Sequence, residues 1–368
     1  VLFRSCGSRL VVEEVIRLAE CVEVESVSAE RAIALLRSHG LLLPSHLAKS
    51  DRLRKVVRVP VVDGTTLLAS DVLREYGISS IPCVDVFKAG FRRVRFTDLL
   101  RSVLPDEVLR KVPRSYQLVG SIAIIHLPED LLSYGSVVGE AIARVSPCVK
   151  AVYTSIATEG EFRVRRLARI WGEDVSETVH TEYGIKLCID IKKVYFNPTL
   201  SYEHWRVSEE VRDGERVLDL FSGVGPYSLH IASKRNATCF AVDSNPWAIV
   251  YLVKSIRLNK LRGRVVPVLS RVEEFLELAS EEAFSRVIID LPHKSLEYLC
   301  DVLRILSCGG VGHVYAVSRD EPPELKPLKS AYITEVRKVL EYAPRKYIYG
   351  LKLVKTCGNT KKTPSPQS

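Results

Sequence analysis

From Val211 to about Lys355 the chain alternates between short apolar runs and amphipathic stretches. The apolar runs, near 216–221, 238–243, 264–269, 286–291 and 309–317, have the length and composition of buried strands. Helix-like stretches such as Pro246 to Asn259 and Leu296 to Leu306 fill the gaps. Two more β-like runs follow, Ile333 to Leu340 and Tyr347 to Val354. Strand and helix in turn predict an α/β fold with a doubly wound, mostly parallel sheet. The last pair predicts an antiparallel hairpin at its edge.

Residues 114 to about 200 read differently. Leu118 to Leu127 is predicted as a strand, Pro128-Glu129-Asp130 as a turn, and a helix runs to about Val145. Val149 to Ser155 is a second strand, and in Gly160 to Arg166 the alternation puts Arg163 and Arg165 on one strand face. Thr178 to Tyr183 and Ile185 to Ile191 read as a hairpin. The segment is a compact α+β unit. Residues 1–105 are the least legible. Val11 to Cys21 and Ala29 to His39 have helical periodicity, and Leu53 to Val62 reads as a half-buried strand. The expected domains are 1–105, 114–200 and 201–355, with a disordered polar tail over 356–368.

Composition narrows the class. In 368 residues the apolar share is 46% and the charged share 26%, which is the balance of a globular protein. No run is long and apolar enough to span a membrane, and no signal peptide is visible. The expected setting is cytoplasmic, and the expected state a monomer. A net charge of +9 favours a polyanionic partner such as nucleic acid, or else marks a basic but inert surface. Lys88, Arg92, Arg93, Arg95 and Arg101 leave the same two readings open. The nine cysteines show no C-x-x-C pair or zinc spacing and are expected to be reduced; no metal is implied. The chain has no methionine and opens at Val1, so a missing or non-standard start is expected.

Candidate chemistry concentrates in R-V-L-D-L-F-S-G-V-G-P-Y-S, residues 216–228. A strand that breaks on Gly223 and Gly225 lets backbone approach a ligand closely. The next strand ends in Asp243, placed to accept hydrogen bonds from ribose hydroxyls. A glycine turn followed by an acid within one βαβ unit indicates a nucleoside-type cofactor. The turn is not G-x-G-x-x-G, and with Asp219 inside the strand end it resembles an S-adenosylmethionine site more than a dinucleotide site. Asp290-Leu291-Pro292-His293-Lys294 ends the fourth strand and so faces the same crevice. Glu203 sits among Tyr195, Phe196, Tyr202 and Trp205. It reads either as a cap or surface charge, or as a general base in an apolar pocket. Arg163, Arg165 and Arg166 either hold phosphate or an anionic base, or form a solvated strand face.

Several blocks together resemble the archaeal and eukaryotic type of tRNA (guanine-37-N1)-methyltransferase. They are V-G-S-I-A-I-I-H-L-P-E-D at 119–130, G-E-F-R-V-R at 160–165, K-V-Y-F-N-P-T-L-S-Y-E at 193–203, D-L-F-S-G-V-G-P-Y-S at 219–228, D-S-N-P-W-A at 243–248, L-N-K at 258–260, D-L-P-H-K at 290–294 and Y-A-P-R at 342–345. The resemblance covers about residues 115–355. It implies a Rossmann-like class I methyltransferase domain preceded by two small α+β domains. It also implies transfer of a methyl group from S-adenosyl-L-methionine to N1 of the guanine 3′ of the anticodon, with the N-terminal module touching the tRNA body. By position, Glu203 falls on the general base and Arg163 on the residue that stabilises charge on O6. Asp290 and Pro292 fall on the segment lining the guanine. Asp219, Phe221, Gly223, Gly225, Asp243, Ser244, His204, Arg271, Val272 and Asp290 fall around the cofactor, and Tyr195 and Pro198 on the segment that closes over cofactor and base. Four positions depart from the family pattern. Asp290 replaces an Asn, Thr199 an Arg, His204 an Arg, and Arg271 an acid. The alternatives implied are a relative acting on a modified, wyosine-type guanine, one transferring an aminocarboxypropyl group, and a non-catalytic tRNA binder.

Overall fold

The computed structural model describes residues 16–43, 46–51, 53–88, 94–159, 164–323 and 330–357. Arg92, Arg93, Arg163, residues 11–15 and the tail from 358 therefore lie outside the described residues. The described residues divide into two compact units, 16–99 and 100–357.

The small unit is an antiparallel sheet of β1 (Ile16–Glu25), β2 (Lys49–Asp51), β3 (Val56–Pro60) and β4 (Ser80–Lys88), in the order β2-β3-β1-β4. Helices α1 (Ala29–Ser38) and α2 (Thr66–Glu75) bury Ala32, Leu36, Ala69 and Leu73 with Val22, Val24 and Val59 of the sheet. The helical reading of Val11 to Cys21 is corrected from Ile16 onward. In I-R-L-A-E-C-V-E-V-E, alternation buries Val22 and Val24 on one face, and this period-2 pattern decides the element. The expectation of reduced cysteines is also corrected. Register sets Cys21 opposite Cys83 on neighbouring strands, where they form a disulfide, and Cys308 is bonded to Cys357. Neither pairing has a local spacing signature, because both are made by strand order.

Helix α3 (Phe96–Leu100) spans the boundary; in the large unit, α4 (Asp106–Lys111) leads into a four-stranded sheet of β5 (Gln117–Val119), β6 (Ile122–Ile125), β7 (Ala151–Glu159) and β8 (Val164–Gly172). The strand expected over Leu118 to Leu127 is two strands, turned back at Gly120, whose φ is +54°. Helix α5 (Gly135–Val145) crosses this sheet with Gly139 set against Trp171, leaving no room for a Cβ. Strands β9 (Glu177–Glu182) and β10 (Ile185–Asp190) form the expected hairpin. Its turn residues Tyr183 and Gly184 both have positive φ, 44° and 89°, as a type I′ turn requires.

The remaining helices are α6 (Ser201–Glu210), α7 (Pro226–Lys234), α8 (Pro246–Leu258), α9 (Val272–Leu278) and α10 (Leu299–Ile305). They flank β11 (Arg216–Leu220), β12 (Thr238–Asp243), β13 (Arg264–Leu269), β14 (Phe284–Ile289), β15 (Leu306–Arg319), β16 (Ala331–Ala343) and β17 (Lys346–Lys355). These seven strands form one sheet in the order β13-β12-β11-β14-β15-β17-β16. The first five are mutually parallel, and β17 runs antiparallel to both β15 and β16. The expected terminal pair is present, but its second strand lies inside the sheet and its first forms the edge.

No domain-sized gap falls at residue 200. One core joins Val119, Ile122, Tyr153 and Ile189 to Val217, Leu229, Ala241 and Ile288. The hairpin is fastened to α8 by polar contacts as well. Cys188 N donates to Ser255 Oγ at 2.8 Å, and Asn259 bonds both N and O of Lys186.

Candidate active site

The apolar run Val217 to Leu220 is buried on both sides of the sheet and ends abruptly. Phe221, Gly223 and Gly225 then take positive φ, 61°, 55° and 75°. For Phe221 this is a strained conformation, and the turn closes on itself: Ser222 N donates to Val242 O at 3.0 Å and Gly225 N to Ser222 O at 2.8 Å. Gly225 caps α7, with Pro226 at its first position. Gly223 faces open space: the nearest atom to an added Cβ is the Tyr195 carbonyl oxygen at 3.9 Å.

Asp243, at the tip of β12, accepts from Gly223 N at 2.7 Å and from Asn245 N at 2.8 Å. Burial pushes its carboxyl up, and these two backbone donors oppose the shift. Each carboxylate oxygen keeps a further lone pair for a hydroxyl. Asn245 caps α8 through Trp247 N and donates to Lys193 O, tying the 193–198 segment to the crevice.

A single cavity at this edge is lined by Tyr195, Phe196, Asn197 and His204, by Phe221 to Val224, by Asp243 and Ser244, and by Asp290 to His293. Val317, Tyr342 and Ile348 close it from the far strands. Asp290 is carried there by β14, and Val317 N donates to Pro292 O at 2.9 Å, fixing the turn. Of the expected site residues, Phe221, Gly223, Asp243, Ser244, His204, Asp290 and Pro292 thus meet at one place, while Gly225 lies just behind the turn.

Other expected residues lie elsewhere. Asp219 sits beneath the turn, where Oδ2 accepts from Ser228 Oγ at 2.7 Å and Oδ1 is sealed without a partner. Burial pushes its carboxyl up to about 7 against the Ser228 hydrogen bonds, with the negative charge of Asp290 adding to the rise. Arg271 caps α9 and lies 3.8 Å from Glu273, and Val272 is packed in the core; neither lines the cavity. Arg163 lies outside the described residues, but its neighbour Arg165 donates to Gln117 Oε1 at 2.6 Å and sits over the Tyr195 ring.

Glu203, the expected base, does not line the cavity either. It is buried on α6, with Oε1 accepting from Arg206 Nη2 at 2.8 Å and from Tyr315 Oη at 2.7 Å, and Oε2 paired with Arg337. The next residue, His204, faces the crevice instead, and its Nδ1 is 2.8 Å from Glu182 Oε2. Reasoning from sequence missed Glu182. Its only signal was a carboxylate two residues after His180 at the end of E-T-V-H-T-E, and the β9–β10 hairpin must dock on α6 and α7 before that carries meaning.

Parallel strands, a glycine turn, an acid at the second strand tip and β17 inserted antiparallel together define a class I S-adenosylmethionine-dependent methyltransferase. The comparisons narrow this further. A family model described as the TRM5/TYW2 methyltransferase domain matches residues 178–338, and one for the TYW2 N-terminal domain matches 96–175. The tRNA (guanine(37)-N(1))-methyltransferase Trm5b of Methanocaldococcus jannaschii is 36% identical over 343 residues, covering 90% of this chain and 97% of that one. Trm5b of Pyrococcus abyssi is 40% identical over 256 residues, 66% of this chain and 76% of its own. The crystal structure of P. abyssi Trm5b superposes with a TM-score of 0.66 at 31% identity, covering 92% of this chain and all of that one. The complex of aTrm5 with tRNALeu superposes at 0.63 and 27%, over 91% and 99%. The chain belongs to the TRM5/TYW2 methyltransferase family.

Proposed function

We propose that this protein transfers a methyl group from S-adenosyl-L-methionine to N1 of guanine 37 in tRNA, the reaction named for its Trm5b relatives. The observation that carries the reading is one cavity joining Gly223 and Asp243 to the Asp290–His293 segment. The residues present fit the cofactor. Gly223 leaves open the volume a Cβ would fill, and Asp243 offers lone pairs to ribose hydroxyls. When bound, S-adenosylmethionine supplies an electrophilic methyl group on a sulfonium.

The chain's own residues do the rest. Tyr195, Phe196 and Pro292 offer flat apolar surface to a base turned out of its stack. Asp290 is suited to the donor edge of guanine. Holding guanine N1 in line with the methyl supplies proximity. The excess of basic residues suits a phosphate backbone, and the proposed setting is a cytoplasmic monomer. No helix among the described residues is long and apolar enough to cross a membrane.

The test is incubation with methyl-labelled S-adenosylmethionine and an unmodified transcript bearing G37, with an A37 control, followed by mapping of the product. N1-methylguanine at that site is the expected result; no label with cofactor bound overturns it. A second reading keeps the cofactor but transfers an aminocarboxypropyl group to a modified guanine. Product mass separates the two.

A further inference from the structure

The Y-A-P-R block at 342–345 carries part of the family resemblance but has no chemistry assigned to it. It lies at the tip of the β16–β17 hairpin. Along that hairpin Leu340 pairs with Ile348 and Glu341 with Tyr347, yet Ala343 pairs with Lys346. The register slips by one residue, and Tyr342 is the extra residue of a β-bulge. A bulge bends its strand and re-aims a side chain, and bulges gather beside active sites.

Here the re-aimed ring lines the cavity. Tyr342 is 47% exposed although it belongs to a strand. Its ring meets that of His293 edge-on, with centroids 5.5 Å apart and planes at 72°. In such a pair one ring covers at most one face of the other, so flat surface stays open. His293 follows the Asp290–Pro292 turn, which Val317 N fixes by donating to Pro292 O.

The tip itself is held in place. Arg345, with φ +60°, donates to Asp320 Oδ1 at 3.0 Å and Oδ2 at 2.7 Å. Asp320 N donates to Arg345 O at 3.1 Å, and Tyr349 Oη to Asp320 O at 2.6 Å. The hairpin is thereby tied to the end of β15. Both charged groups are exposed, so the pair adds little stability, and its effect is on where the tip stands. A ring already fixed in position loses less freedom when a ligand stacks on it.

Sheet order decides what the ring serves. Gly223 follows β11 and Asp243 ends β12, whereas Tyr342 is on edge strand β16, with β14, β15 and β17 between. A nucleoside held at Asp243 occupies one end of the cavity. The end that Tyr342 closes is left to the substrate, beside Asp290 and Pro292.

We propose that Tyr342 is a substrate-binding residue whose ring, braced by His293, stacks on the target guanine. The proposal rests on the methyl-transfer reading above. Stacking tolerates any base, because every base has a flat face. Tyr342 therefore supplies affinity for an extruded base, while the donor edge of guanine is met at Asp290.

The experiment measures equilibrium binding of the G37 transcript, and of the same transcript made abasic at position 37, with S-adenosylhomocysteine present. It compares wild type, Tyr342→Ala and Tyr342→Phe. Tyr342→Ala should bind the G37 transcript about 5–150-fold more weakly, the loss expected when one stacked ring is removed. It should bind the abasic transcript as wild type does. Tyr342→Phe, which keeps the ring, should restore the affinity lost in Tyr342→Ala. Calorimetric affinity for S-adenosylhomocysteine should be the same in all three. The proposal is overturned if Tyr342→Ala keeps its affinity for the G37 transcript, or loses as much for the abasic one. It is also overturned if Tyr342→Phe binds no better than Tyr342→Ala, or if the alanine variant loses the cofactor product instead. Methyl transfer by the wild type is assayed separately. A wild type that prefers the G37 transcript to the abasic one but transfers no methyl group would defeat the functional reading and leave the stacking site standing.

Discussion

Gly223 and Gly225 are two residues apart in one turn, both left-handed, yet alanine at each should fail differently. At either position an L-residue at φ 55° or 75° costs about 1–2 kcal/mol. At Gly223 little else is lost from the fold, since an added methyl meets only the Tyr195 carbonyl, at 3.9 Å. At Gly225 the methyl overlaps Leu252, a fully buried side chain of α8 packed in the main core, so it cannot simply swing away. Overpacking of this kind adds about 1–3 kcal/mol. Gly225→Ala should therefore destabilise by roughly 2–5 kcal/mol in total, against about 1–2 for Gly223→Ala. At about 2–4 °C per kcal/mol for a unit of this size class, the two melting curves separate clearly. Cofactor affinity should rank the other way. The Gly223 methyl projects into the cavity and is expected to weaken S-adenosylhomocysteine binding by at least about tenfold, which is about 1.4 kcal/mol. Thermal unfolding and calorimetry on both variants decide the matter. Unchanged affinity in Gly223→Ala would mean that the turn is not the cradle. Equal melting temperatures would mean that Leu252 does not constrain the helix cap.

Asp243→Ala should abolish calorimetric binding of the cofactor, and retained affinity would mean the crevice is misread. Glu182 is held at about 2 in the fold against an ordinary 4.5. Its contribution is thus present above about pH 4.5 and lost as pH falls toward 2. The difference amounts to at most about 3 kcal/mol. Urea unfolding between pH 5 and pH 3 should show a steeper loss in wild type than in Glu182→Gln, and parallel curves would refute the pairing. The Cys21–Cys83 bridge closes a separation of 62 residues, worth up to about 4 kcal/mol to the small unit by loop entropy. Cys21→Ser should melt lower and lose its sensitivity to reductant; a wild-type melt that ignores reductant would count against the bond. Asp290→Asn restores the family residue and should leave transfer little changed, so a sharp fall would give the Asp290 carboxylate a role of its own.

The parallel half was legible because its strands are apolar runs, and β11, β12 and β14 end on or just before Gly223, Asp243 and Asp290. Such strands are buried on both faces and read as continuous runs, and the sheet edge they share follows from their direction. The glycine turn, Asp243 and Asp290 came with it. Two things did not. Val11 to Cys21 mixes long charged side chains with apolar ones so evenly that helix and strand periods both fit, and pairing with β3 and β4 settles it. Contacts made by docking, rather than by adjacency, were also hidden. Glu182 with His204, Cys308 with Cys357 and Arg337 with Glu203 lie 22, 49 and 134 residues apart. No spacing rule reaches them. Glu203 itself shows the limit of a motif, which names the position but says nothing of which partners occupy its lone pairs.

The place of β17 bears on how the chain can be made. Lys346–Lys355 lies between β15 and β16, both of which leave the ribosome before it. Until β17 emerges, β16 has no partner and β15 presents an open edge, the kind of surface that pairs with other chains. Ile348 of that same strand lines the cavity. Synthesis that stops short of it leaves an unfinished sheet and an incomplete pocket at once, so nearly finished chains gain no early activity. Completion of the sheet and completion of the pocket therefore both wait on β17.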